Sequence, residues 1–359
     1  MYNLESFFKI FSNCILSKGH NRSLIIDLQR EYYVVVPTSM IEVIEEFNKK
    51  KSIQEVLEIF GIENEKVITE YLDFLIEKDF GVFVSKDEFE LFIDFNKDFE
   101  IPSIISNCII EISQINLLHF DRILDDLQKL KCYNVQFVFY DDVKIEILKN
   151  ILGKTKLIDF RSIELVIRYG KNVLDFVQEI DKFNFRVTKL FLHDTKDVVL
   201  KDISTTFEIH YIKNLITSFN NCGIVDSKYF NVNNYKVLES FEFNSCLNQK
   251  ISVDINGDIR NCPSMPKKFG NIVQDSLTDA LENNNFKEFW KIPKTKITTC
   301  KDCEYKFICT DCRAFTENPE DKFSKPLKCG YDPYSNKWED WSSNPLKKKV
   351  MELYKIIEK

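Results

Sequence analysis

Apolar residues recur at two periods along this chain, and the switches between them mark its organisation. Ser23–Leu28 and Tyr32–Val36 are dense in Ile, Val and Tyr and read as two strands. Pro37-Thr38 ends the run. From there Met40, Ile41, Val43, Ile44 and Phe47 fall at helical spacing through Asn48. Ser52 with Glu55 three residues on is a capping-box signature, so a second helix runs to about Phe60, and Gly61 stops it. Val67, Ile68, Tyr71, Leu72 and Leu75 predict a third helix over Asn64–Lys78, and Gly81–Val84 a closing strand.

The middle alternates. Strands are predicted at Ile104–Ile112, Asn134–Tyr140, Ser162–Ile167, Lys189–Leu192 and Thr206–Ile209. Helices are predicted at Leu117–Lys131, Val143–Leu152 and Asn172–Phe183. Strand–helix alternation with short connections implies parallel strands joined by right-handed crossovers. The fold class is therefore α/β and multidomain. Expected boundaries are 1–98, 99–235 and 236–345, with a C-terminal helix over 346–359.

Composition narrows the chemistry. The chain has 359 residues, a formal charge of -7 and 44% apolar residues, enough for ordinary cores. A mildly acidic chain is a poor phosphate neutraliser, so no nucleic-acid partner is expected. Lys347-Lys348-Lys349 reads as a solvated helix face. The apolar start (Phe7, Phe8, Ile10, Phe11) lacks the basic residues and cleavage site of a signal peptide. No stretch reaches the ~18 apolar residues of a membrane span. The expectation is a cytoplasmic protein without a membrane partner, whose 11 cysteines are metal ligands or buried thiols rather than disulfides. With only 9 glycines and none in a phosphate-loop pattern, no nucleotide cradle is evident.

Seven cysteines crowd one segment: Cys246, Cys262, Cys300, Cys303, Cys309, Cys312 and Cys329. Between the first two, Ile251–Ile259 alternates and turns at Asn256-Gly257, a strong hairpin signal that would bring Cys246 and Cys262 together. Cys300-Lys301-Asp302-Cys303 and Cys309-Thr310-Asp311-Cys312 are two CxxC turns, and a helix-like stretch, Leu277–Trp290, precedes them. Two residues between thiolates let both face one metal centre, and thiolates suit iron–sulfur clusters and zinc. Cys300, Cys303, Cys309 and Cys312 could supply one zinc, which leaves the other three without a purpose. Two four-iron clusters would use all seven, with one iron ligated by something else.

Cys14, Cys108, Cys132 and Cys222 are isolated and read as core thiols, with Cys222 an alternative ligand for the Cys246/Cys262 site. His193-Asp194 ends a predicted strand, a weak acid/base signal against a structural histidine. His20, His119 and His210 carry no pattern. Trp290, Trp338 and Trp341 are expected to pack around the cysteine module.

The order Cys, Gly-x4-Cys, CxxC-x5-C, a nearby Cys and a last Cys resembles the SPASM domain of radical-SAM peptide-modifying enzymes. The segments Cys303–Ala314 and Cys329-Gly330-Tyr331-Asp332-Pro333 are close to the family wording. That resemblance implies one auxiliary cluster on Cys300, Cys303, Cys309 and Cys329, and another on Cys246, Cys262 and Cys312 with a fourth position open or filled from elsewhere. The chain departs from the family in having two residues, not three, between Cys309 and Cys312.

The N-terminal order of elements resembles the winged-helix precursor-recognition domains of ribosomal-peptide maturation enzymes. There a leader peptide adds as a strand, with main-chain hydrogen bonds giving affinity. The edge implied here is Phe80, Gly81, Val82, Phe83 and Val84. A winged helix used only for packing is the plainer alternative. A DNA-binding version would carry Glu65, Glu70, Asp73 and Glu77 toward phosphates.

No CxxxCxxC exists in the chain; Ile112 and Ile115 stand where it would be required after the strand that holds Cys108. S-adenosylmethionine is therefore not an expected cofactor. The combination resembles the SPASM-domain peptide maturases of grasp-with-spasm systems, which accompany an ATP-grasp ligase and a precursor peptide. It implies a degenerate partial (β/α) barrel in the middle and an accessory role. A stand-alone iron–sulfur enzyme and a zinc-stapled binding module are the alternatives. The catalytic residues, the precursor sequence and the oligomeric state are not legible.

Overall fold

The structure, a computed structural model, describes residues 2–170, 177, 179, 180, 182, 186–196 and 204–356. Four strands precede the first helix: β1 (Phe7–Ile10), β2 (Cys14–Ser17), β3 (Arg22–Asp27) and β4 (Tyr32–Pro37). The sequence reading had only the last two, because four-residue strands carry too little period to register. β2, β3 and β4 form an antiparallel sheet. Asp27 shapes the β3–β4 turn, its Oδ1 accepting the amides of Gln29 (2.9 Å) and Arg30 (3.1 Å).

Helices α1 (Thr38–Asn48), α2 (Ile53–Phe60) and α3 (Glu65–Glu77) follow, close to expectation. The Ser52/Glu55 capping box opens α2, and Gly61 at φ +93° closes it. β5 (Gly81–Val84) then pairs antiparallel with β1, Phe8 opposite Phe83. The expected peptide edge thus has one side filled by the chain's own N-terminal strand.

β3 is buried on both faces, as its continuous apolar run requires. Ile25 joins Phe8, Ile41, Phe47 and Leu72 in the N-terminal core. Leu24 and Ile26, pointing the other way, pack on Tyr305, Ile308 and Cys309 of the cysteine module.

The central sheet has the order β10-β9-β8-β7-β6-β11-β12. Its members are β6 (Asn107–Glu111), β7 (Asn134–Val138), β8 (Ser162–Arg168), β9 (Val187–His193), β10 (Glu208–Ile212), β11 (Lys250–Val253) and β12 (Ile259–Arg260). β6 to β10 lie side by side in sequence order and all parallel, as the alternation predicted. β11 adds parallel to β6, so the sheet continues into the cysteine-rich segment.

One face of the sheet is apolar. Ile110, Phe137, Leu165 and Leu190 pack there with residues of α5 (Phe120–Lys129) and α6 (Ile145–Thr155). The other face carries Asn107, Asn134, Gln136 and Glu164, with Gln136 Nε2 donating to Glu164 at 2.8 Å.

Two helix expectations are corrected. The helix expected over Leu117–Lys131 breaks at His119 into α4 (Gln114–Leu118) and α5. The stretch Leu277–Trp290 is helical only over Leu277–Glu282. It stops at Asn283, whose side chain accepts the Asn285 amide at 3.0 Å and so offers the backbone a turn in place of a helical bond. The helix expected at Asn172–Phe183 lies largely outside the described residues. Among the described residues, no helix is long and apolar enough to cross a membrane.

Candidate metal centres

Two short 3-10 turns, Cys300–Asp302 and Glu304–Phe307, set the first group of thiols. The Cys303 amide donates to Cys300 O at 3.1 Å and the Cys309 amide to Tyr305 O at 3.0 Å. Cys329 arrives from far along the chain through a bridge to Val225. Its carbonyl and that of Leu327 both accept from Lys347 Nζ at 2.8 Å; Lys347 is buried, so of the expected solvated lysine face only Lys348 and Lys349 are exposed. Cys300, Cys303, Cys309 and Cys329 then line a single cavity. Phe230, Tyr305, Tyr331 and Trp338 wall it, and Lys294, Lys306 and Lys325 also line it. Burial pushes the Cys300 thiol up to about 11 and the Cys309 thiol up to about 12, Lys294 pulling against both.

The second group forms where the β11–β12 hairpin ends. Ser252 pairs with Arg260 and Val253 with Ile259, and the turn between them uses Gly257 at φ +80°. Cys262 follows close on the hairpin and feels the charge of Cys246. Cys312 is the third thiol. Burial raises it to about 12, with Cys246 and Cys222 adding to the rise.

That fourth cysteine, Cys222, is not a core thiol. It is exposed, and it lies among Cys246, Cys262 and Cys312, whose electrostatics it shares. Gly223 makes the approach possible. At φ +84° its backbone passes so close that a Cβ there would stand 2.7 Å from Cys312 Sγ. The adjacent Cys-Gly pair was the one sequence signal for this placement. Lys250 Nζ donates to Cys246 Sγ at 3.6 Å.

Asp311 separates the two groups. It is fully buried; Oδ1 accepts from Arg313 at 2.5 Å and Oδ2 from Asn244 Nδ2 at 2.7 Å. Asn244 Oδ1 in turn accepts the amides of Cys246 (3.0 Å) and Leu247 (2.9 Å). One buried carboxylate therefore ties the Cys309–Cys312 turn to the turn that carries Cys246. Cys309 and Cys312 are three residues apart, so their Cα atoms lie no more than about 11 Å apart.

The remaining sequence candidates are placed elsewhere. Cys14, Cys108 and Cys132 are buried in the two cores, and burial raises each thiol. His193 is fully buried and satisfied: Nε2 meets Phe139 O at 3.1 Å, and Nδ1 accepts the Ile216 amide at 3.2 Å. The structural reading of His193 is the one its contacts support. Trp338 lines the four-cysteine cavity, whereas Trp290 packs against Phe286 in the central core.

The donors suit a cluster. Both groups consist of thiols, four in each, and those of the first line one common cavity. Among the described residues, no three His, Cys, Asp or Glu side chains converge as a single-ion site requires.

No curated protein matches the chain. Among solved structures, Streptococcus suis SuiB bound to S-adenosylmethionine matches with a TM-score of 0.35 and 11% identity, over 86% of this chain and 96% of that one. A second SuiB crystal structure matches with a TM-score of 0.32 and 10% identity, over 85% and 96%. Likeness that weak does not establish a common fold. The sequence match is more specific: residues 245–304, which hold Cys246, Cys262, Cys300 and Cys303, match the SPASM family, an iron–sulfur cluster-binding domain.

Proposed function

We propose that this chain is an accessory of ribosomal-peptide maturation. It binds the leader of a precursor peptide, carries two four-iron clusters and acts with an ATP-grasp ligase. The observation that carries the reading is the gathering of eight cysteines, Cys222 included, into two four-thiol groups, four of them (Cys246, Cys262, Cys300 and Cys303) in the stretch that matches the SPASM family. Such clusters supply one-electron transfer and cross-link the loops that hold them.

The place where a radical-SAM motif would sit supports an accessory rather than an autonomous radical enzyme. After β6 the chain turns directly into α4. Ser113 accepts the Asn116 amide at 3.3 Å, and Asn116 Nδ2 donates to Glu111 O and Asp254 O at 2.7 and 2.8 Å. Those bonds belong to a helix cap and a loop tie. A stand-alone enzyme working through an open iron is disfavoured by Cys222, which gives the second group a fourth thiol. For the leader, β5 keeps one edge beyond its pairing with β1, and Val82, Phe83 and Val84 on it are half-buried.

Anaerobic purification tests the cluster part. Brown protein with about eight irons per chain is expected from two four-iron clusters. Colourless protein with stoichiometric zinc would overturn it in favour of a zinc-stapled binding module. Pull-down with a precursor peptide tests the docking edge, which undiminished binding by a V82K/V84K variant would sink. A mass change in the peptide without any partner enzyme would favour the stand-alone reading.

A further inference from the structure

Among the described residues, three lysines, Lys294, Lys306 and Lys325, and no acidic residue line the four-cysteine cavity; Lys306 donates to the carbonyls of Lys18 and Cys303, and Lys325 has Glu317 at 3.9 Å. Lys294 lines it and is only 5% exposed. The ammonium contacts Cys309, and Asp311 Oδ1 is 4.0 Å from Nζ. That carboxylate is already engaged, by the Arg313 guanidinium on Oδ1 and the Asn244 amide on Oδ2. Two buried cations therefore share one buried anion. Leaving an ammonium uncompensated away from water costs several kcal/mol. The balance closes when the thiols beside Lys294 are thiolates bound to a metal centre. Four thiolates on a four-iron core make a dianion when oxidised and a trianion when reduced.

We infer that Lys294 is the counter-charge of the four-cysteine centre, and that it holds the reduction potential of a cluster there above the value the thiolates alone would set. The inference rests on the cluster reading proposed above. Its physics is the difference between two attractions. The ammonium stabilises the trianion more than the dianion, and little water intervenes to screen it. Reduction here is addition of one electron from an external low-potential donor; no bond breaks and no proton moves. The second group has cations of its own, Lys250 beside Cys246 and the buried Lys328, whose Nζ donates to Cys222 O at 2.6 Å, so Lys294 acts on the first centre.

The test is a potentiometric titration with dithionite of the anaerobically prepared full chain, read by EPR and accompanied by iron analysis. In K294M, one of the two reduction waves should move to lower potential. The expected shift is at least tenfold in the ratio of reduced to oxidised cluster, about 59 mV for one electron. The other wave should stay in place, and K294R should stay with the wild type. If K294M does not accumulate folded, K294Q, which also lacks the charge, is titrated against the same criterion. A variant with the wild-type iron content and unmoved waves overturns the role of Lys294 and leaves the clusters standing. A wild type without iron overturns the cluster reading, and this inference with it.

Discussion

Arg22, the first residue of β3, reaches into the cysteine module and donates Nε to Glu304 Oε1 at 2.6 Å. Glu304 immediately follows the metal-site candidate Cys303. The same oxygen accepts from Tyr331 OH at 2.5 Å, and Ser17 Oγ donates to the Glu304 carbonyl at 2.5 Å. The N-terminal domain is thus fastened to the loop that positions the first thiol group.

Glu304 is fully buried, and its Oε2 has no hydrogen-bond partner among the described residues. Replacing Arg22 by Met would leave that carboxylate held by the tyrosine alone. We expect R22M to cost about 2–3 kcal/mol, below the range for a wholly buried pair because the Arg22 side chain is 31% exposed. Urea unfolding of wild type and R22M measures it. A loss under about 0.5 kcal/mol would mean the pair is worth no more than a surface one.

Cys222 separates a three-thiol from a four-thiol second group. C222S should lose iron relative to the wild type's expected complement of about eight. C132S, altered in the central core, should not. Equal iron in C222S and wild type would return Cys222 to the surface with no part in the site.

Gly223 offers a steric check on the same geometry. In G223A the new Cβ meets Cys312 Sγ, and a non-glycine residue at φ +84° adds roughly 1–2 kcal/mol of backbone strain. Lower thermal stability and reduced iron are expected together. A variant that binds iron like the wild type would show that the approach is looser than described.

His193 should make the protein acid-sensitive. Burial holds its pKa below the ordinary histidine value, with Arg168 pushing the same way against the Phe139 bond and Asp194. An unfolded histidine titrates near about 6.5. Below that pH the unfolded chain takes up a proton that the folded chain refuses. Stability therefore falls as pH drops from about 6.5 toward the lowered folded value, by no more than about 1.4 kcal/mol per pH unit. H193Q should lose less stability than wild type between pH 7.5 and 5.5, compared by denaturant midpoints at each pH; equal losses would exclude His193 as the source.

Local patterns in the sequence determined a good deal. The Ser52/Glu55 capping box, the Asn256-Gly257 turn, the two CxxC turns and the strand–helix alternation from Asn107 to Ile212 each depend on residues a few positions apart. Their spacing along the chain is their geometry, so they can be read before any fold exists. The burial of β3 on both faces was foreshadowed in the same way, by an apolar run without alternation.

Tertiary structure decided what meets what. β1 and β2 exist because β5 and β3 are there to pair with them. Cys222 joins Cys312 across 90 residues because Gly223 lets two backbones pass. Lys294 looks like an ordinary surface lysine in the sequence, and only burial beside Asp311, Arg313 and the thiols makes its charge consequential. The cysteine spacing announced a metal module. Which thiols share a centre, and which cation faces them, depends on contacts between distant segments, and spacing along a chain holds no record of those.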